Sequence, residues 1–159
     1  MTANPEQLLG TERPMISDDD HYRRLERMYL SAPINAIFRP TIHVSEGRTE
    51  IVMPMRRDFH HAANAVHGAV YFKALDDASF FAANSLVRDV FVLTVTYTVY
   101  LTRPIADGEM RATGNVVHRS KNLILAEAEV VDSAGRQIAR GSGSFMQSRT
   151  PLTAEIGYA

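Results

Sequence analysis

An α+β fold, one antiparallel sheet of about six strands wrapped around a single long helix, follows from three features of the sequence. Residues 67–85 are good helix formers in which Ala69, Phe72, Asp76, Phe80 and Ala83 recur at spacings of three, four and seven. At 91–102 the apolar period switches to two, the repeat of a strand. Beyond it, segments 109–119, 123–131 and 137–146 are joined by tight turn signals, which suits antiparallel neighbours rather than crossovers.

The elements can be justified in order. Residues 1–16, with Pro5, Gly10 and Pro14, read as a flexible arm. Ser17 before Asp18, Asp19 and Asp20 is a helix start: a hydroxyl cap, then acids at the positive end of the dipole. Tyr22, Leu25, Met28 and Tyr29 form the apolar stripe of a short helix over 17–30, which stops before Ser31-Ala32-Pro33. Strands at 41–44 and 50–55 flank a turn at Glu46-Gly47-Arg48, and 56–66 is a polar loop with His60, His61 and Asn64. In the strand 91–102, Phe91, Leu93, Val95, Tyr97, Val99 and Leu101 make an apolar set. Val92, Thr94, Thr96, Thr98, Tyr100 and Thr102 make a threonine-rich second face. The expected organisation is a single domain over 17–148, with its core at 40–148 and a C-terminal tail at 149–159.

Composition narrows the function classes. The 159 residues are 45% hydrophobic, enough for a core. The net charge of −1 gives no basic face to grip nucleic acid. There is no cysteine, hence no disulfide and no thiolate chemistry. No apolar run approaches the roughly 20 residues of a membrane helix, and no signal-peptide core is seen, so a cytoplasmic protein without a membrane partner is expected. One helix cannot cover six strands. The uncovered face and edges predict self-association, as a homodimer or a dimer of dimers.

Asp76 is the anomaly of the long helix, a carboxylate with Phe72 one turn before it and Phe80 one turn after. Its bland explanation is a pair with Lys73 or a backbone donor. Asp77, four residues after Lys73, is expected to form a solvated ion pair. His60, His61 and His67 have no carboxylate or cysteine at ligand spacing, so no metal site is expected.

His67-Gly68-Ala69 followed by Leu75-Asp76, with the carboxylate nine residues after the histidine, resembles the acyl-CoA thioesterases of the hotdog fold, PaaI-like branch. The resemblance continues through Leu93-Thr94-Val95-Thr96, Arg103-Pro104 with Gly108, Asp132 to Gly135, and Gly141-Ser142-Gly143-Ser144-Phe145, over roughly 40–148. It implies hydrolysis of an acyl-CoA to a free acid and CoA, with no cofactor beyond the CoA of the substrate. Asp76 would be the base or the nucleophile, with Thr94 beside it to orient the water. Two departures stand out. Ala69 replaces the second glycine of the family turn, and His61 stands where the family often has an amide, with Asn64 nearby.

Thioester chemistry needs donors at the carbonyl oxygen, and the backbone N–H groups of Gly68 and Ala69 at the helix start are candidates, with His67 at the entrance. Gly68 and Asp76 are eight residues apart, roughly 12 Å along a helix. One carbonyl cannot touch both, so a shared site requires two copies with antiparallel helices. Arg103, Arg119 and Lys121 are candidate contacts for CoA phosphates. Phe72 and Phe80 could line an acyl pocket, and core packing would explain them equally well. Two other readings are a non-catalytic acyl-CoA-binding regulator and a hydratase or dehydratase. The former lacks a second helix for DNA, and the latter lacks its His-Phe-Pro turn.

Overall fold

Ser17 starts the first helix as its cap pattern predicts. Its hydroxyl accepts from the Asp20 N–H at 3.2 Å, and α1 runs Asp18–Ser31. The computed structural model describes residues 16–159, so the arm expected over 1–16 lies almost wholly outside the described residues. Helix α1 buries His21, Leu25, Met28 and Tyr29, with His21 taking the place expected for Tyr22, which is only half-buried. A short helix that the sequence reading missed follows, α2 at Pro33–Phe38, begun by proline and ended by Arg39 in the left-handed region. Six residues are too few to show a helical period.

The strands are β1 (Thr41–Ser45), β2 (Arg48–Pro54), β3 (Val90–Leu101), β4 (Glu109–Arg119), β5 (Ile124–Val131) and β6 (Gln137–Pro151). They form one sheet in the order β1-β2-β4-β5-β6-β3, every pair antiparallel. Helix α3 (Gly68–Asn84) lies across it. The expected α+β architecture, a hotdog fold, is therefore what the chain adopts.

Helix α3 seats on the sheet by one face. The face toward the sheet carries Val70, Tyr71, Ala74, Leu75, Ala78 and Ala82, and Phe72 is 42% exposed on the other side. Small residues decide this. A Cβ at Gly114 of β4 would stand 2.2 Å from the Ala78 carbonyl oxygen, so the helix backbone rests directly on the strand. The same device houses Tyr97: Cβ atoms at Gly141 and Gly143 would come within 2.6 and 2.4 Å of its ring.

The strict alternation expected along β3 is also broken. Thr94 pairs with Phe145 and Thr96 with the next residue, Ser144, so Val95 is an extra residue in β3. Before this bulge Val92 is buried and Thr94 turns to the helix; after it Tyr97 and Val99 pack on the core. Leu93 and Val95 are left 52% and 54% exposed at the sheet edge. Residues 149–159, expected as a tail, contain the end of β6 and a 3-10 turn at Ala154–Ile156. They close on α1, where buried Tyr158 donates its hydroxyl proton to Nδ1 of buried His21 at 2.6 Å.

Candidate active site

The start of α3 is held by backbone bonds. His67 N–H donates to Phe59 O and Val66 N–H to Ile105 O, both at 2.8 Å. His67 is the helix cap, and its Nδ1 accepts from the Ala69 N–H at 3.0 Å. Ala69 therefore does not offer a free donor, contrary to expectation. The Gly68 N–H has no partner among the described residues and stands at the positive end of the helix. Its Cα position lies against β3, since a Cβ there would be 3.1 Å from Leu101 Cδ1.

Asp76 sits two turns on, half-buried. Thr94 donates its hydroxyl proton to Asp76 Oδ1 at 2.9 Å. Burial pushes the Asp76 carboxyl above its ordinary value; the Thr94 bond opposes this, Asp77 adds to it and Lys73 opposes it. Beside Asp76, the Tyr97 hydroxyl donates to Leu75 O at 3.0 Å and bonds Ser79 Oγ at 2.8 Å, which fixes the helix against β3.

Lys73 pairs with Asp77, not Asp76, at 2.5 Å. This pair corrects the expectation of a solvated bridge, because the two side chains are only 12% and 19% exposed. Helix α1 lies over them: Tyr29 donates its hydroxyl proton to Asp77 Oδ2 at 2.8 Å, and the Lys73 ammonium stands 5.4 Å and 5.2 Å from the Tyr29 and Phe38 ring centres. Burial raises the Asp77 carboxyl, against the pull of Lys73 and Tyr29.

Both carboxylates face a cavity of about 920 Å³, walled by the α1–α2 junction, α3, the start of β3 and the C-terminal segment. Phe80, Phe81, Phe91 and Leu93 line it with Thr94. Of the residues expected from sequence, the structure brings Asp76, Thr94 and Phe80 together there. Phe72 lies outside, its ring edge-on to Tyr97 with centres 5.8 Å apart. His67, Gly68, Ala69, His61 and Asn64 cluster at the far end of α3. The His61 and His67 rings are 6.4 Å apart, and Asn64 is exposed with φ 58°. His61 Nδ1 accepts from Ala63 N–H at 3.1 Å, and Asn64 N–H donates to His61 O. His60 spends its Nε2 on Ala106 O at 2.6 Å. Among the described residues no three His, Asp or Glu side chains group as metal ligands. Arg103, Arg119 and Lys121 are exposed but not together. Arg103 follows the Leu101 end of β3, whereas the 119–124 turn lies at the Thr94 end of the sheet.

Sequence reasoning missed Tyr29 as a partner of Asp77, and missed the cavity walls from α1, α2 and the C-terminal segment. The Lys73–Asp77 spacing was the available signal, but burial by a distant helix leaves no mark on local spacing.

Comparison with known proteins agrees with this architecture. Residues 63–139 match the profile of the thioesterase superfamily. A Saccharolobus solfataricus protein named as an esterase, SSO2140, is 23% identical over 141 residues, covering 86% of this chain and 99% of its own. The PaaI protein of the Escherichia coli phenylacetic acid degradation operon superposes with a TM-score of 0.78 at 20% identity, covering 86% of this chain and 99% of its own. A thioesterase family protein from Silicibacter pomeroyi does so at 0.73 and 26% identity, over 82% of this chain and 97% of its own. Among the described residues no helix is long and apolar enough to cross a membrane.

Proposed function

We propose that this hotdog-fold chain, whose residues 63–139 match the thioesterase superfamily, hydrolyses acyl-CoA thioesters to a free acid and CoA at a site shared by two copies. The observation that carries this reading is Asp76: a half-buried carboxylate, oriented by the Thr94 hydroxyl, on the wall of a cavity lined by aromatic side chains. With Oδ1 held by Thr94, Oδ2 is free to take a proton from a water attacking the thioester carbon. The raised carboxyl makes it a stronger base at neutral pH than an exposed aspartate. The carbonyl oxygen gains negative charge and is received by an unpaired backbone N–H; the CoA thiolate then leaves and takes up a proton.

The donor is Gly68, and geometry argues for the second copy. Strand β3 is an edge, and Leu93, Val95, Tyr100 and Leu101 are each more than half exposed. Gly68 lies against Leu101, and Asp76 lies against Thr94. Two β3 strands paired antiparallel about a two-fold axis at Thr98, with Val95 looped out as it is against β6, would set Thr94 opposite Leu101 of the partner subunit. Each Asp76 would then face Gly68 of the partner subunit. Under this reading, Arg119 and Lys121 of one copy and Arg103 of the partner subunit lie at the same end of the β3 seam, and they are the candidate contacts for the CoA phosphates.

Subunit complementation tests it. Gly68→Pro removes the N–H while keeping the helix start, since proline suits the first helical position and His67 already has the extended φ −65°, ψ 142° that a following proline requires; its Cβ asks only a small shift of the flexible Leu101 Cδ1, 3.1 Å away. Gly68→Pro and Asp76→Asn homodimers should each lose about 10²-fold or more in kcat. A mixed dimer has one intact site if the site is shared, so statistical mixing restores about a quarter of wild-type release of free CoA thiol. Mixing that restores nothing would exclude a shared site, and undiminished hydrolysis by Asp76→Asn would remove Asp76 from its role.

A further inference from the structure

The cavity beside Asp76 holds a second carboxylate to which hydrolysis gives no task. Asp77 Oδ2 accepts both the Tyr29 hydroxyl at 2.8 Å and the Lys73 ammonium at 2.5 Å. Its Oδ1 has no partner among the described residues, yet it is not sealed away, and Asp77 lines the cavity. Most of the remaining wall is apolar, with Met28, Phe80, Phe81, Phe91, Leu93 and Ile156. A carboxylate pinned by two donors cannot turn away, so Oδ1 is presented beside Phe80, Phe81 and Met28 in a chamber whose other polar groups are Ser31, Asn35, Asp76, Thr94, Thr150 and Glu155.

We propose that Asp77 is a specificity-determining residue that accepts a hydrogen bond from a neutral donor, an O–H group, carried on the acyl chain of the thioester. This deepens the hydrolytic reading and rests on it, because the acyl group is taken to enter the cavity beside Asp76. The charge state selects the donor. Lys73 already offsets the Asp77 charge, and a cationic acyl tip would meet that ammonium. A carboxylate or ketone tip would meet an oxygen with no proton to give. Asp77 is about 100° round the helix from Asp76, so the hydroxyl lies several bonds from the thioester carbonyl. A plain alkyl chain of the same length would strip water from Oδ1 and return nothing. Sites that bond a substrate hydroxyl reject the analogue lacking it for this reason.

The test uses the full chain and CoA thioethers, which cannot be hydrolysed. Hexyl-CoA, the series of its hydroxy positional isomers and the matching keto analogues are titrated by calorimetry, and the corresponding thioesters are assayed for thiol release. At least one hydroxy isomer should bind about 10- to 100-fold tighter than hexyl-CoA, since a hydrogen bond to a charged acceptor is worth that ratio. In Asp77→Asn, Lys73 and Tyr29 hold the amide oxygen and the NH2 group faces the cavity, so the preference should pass to a keto analogue. In Lys73→Met/Asp77→Leu/Tyr29→Phe, where apolar side chains replace the ionic pair and the hydroxyl it held, all the thioethers should bind alike. Equal binding of every compound by the wild type, or a hydroxyl preference that survives the triple substitution, would overturn the assignment. Turnover without such a preference would leave hydrolysis standing and remove Asp77 from it. A preference without turnover of any thioester would do the reverse, and no binding of any thioether would overturn both.

Discussion

Replacing Thr94 by valine should move the acid limb of the pH–rate profile upward by about one unit. The perturbation is nearly isosteric: the branched side chain stays in β3, and only the hydroxyl that donates to Asp76 Oδ1 at 2.9 Å is lost. Asp76 must be ionised to accept a proton, so activity falls as pH drops through its pKa. Burial raises that pKa and the Thr94 bond opposes the rise, so removing the bond leaves burial less opposed and the value climbs. A hydrogen bond to a charged group contributes about 1.5–3 kcal/mol, and 1.36 kcal/mol corresponds to one pH unit. Because the pair is only partly buried, the lower end applies, hence about one unit. The assay is kcat/KM for an acyl-CoA from pH 4 to 9, with released thiol trapped chromogenically, for both proteins. At pH well above both limbs the two should differ far less than at pH 5. A Thr94→Val profile lowered uniformly, with its acid limb unmoved, would show that the hydroxyl does not act through the carboxylate.

Other perturbations reach the scaffold. Gly114→Ala places a methyl 2.2 Å from the Ala78 carbonyl oxygen, against helix backbone that cannot rotate aside, and should cost about 3 kcal/mol or more in urea denaturation. Lys73→Met leaves the Asp77 carboxylate buried with Tyr29 alone and should cost about 3 kcal/mol, most of it recovered when Asp77→Leu is added; a double variant as unstable as the single would contradict the buried-pair account. His21 is buried, with its pKa held below the ordinary 6.5 by desolvation, so the unfolded chain binds its proton first as pH falls. Its contribution is therefore present above about pH 6.5 and lost below, by up to about 1.4 kcal/mol per unit. The stability difference between wild type and His21→Gln should shrink over that window in denaturation series at stepped pH, and a constant difference would refute it.

Much of the fold was legible because its signals are local. The Ser17 cap, the turn at Gly47 with φ 63°, and the change of period after residue 90 each leave their mark within a few residues. Asp76 was legible as an oddity for the same reason, an acid between two phenylalanines. What escaped depends on elements far apart in the chain. The burial of Lys73 and Asp77 comes from Tyr29 and Phe38, and the seating of α3 from Gly114. The spacing of Phe72, Asp76 and Phe80 marks a shared face but not what it meets; close approach to Gly114 favours alanines, so the helix turns its small side to the sheet. Helix α2 and the β3 bulge carry too few residues to register as a period.

The extra residue at Val95 has a consequence for how such a chain can change. With unbroken alternation, Thr94 and Tyr97 would project to opposite sides of the strand; with one residue looped out, both turn toward α3. One segment of β3 can thus serve the carboxylate while the next serves the core, each on its own phase. Losing the one extra residue between them would swing Thr94 away from Asp76 while β3 and β6 could still pair.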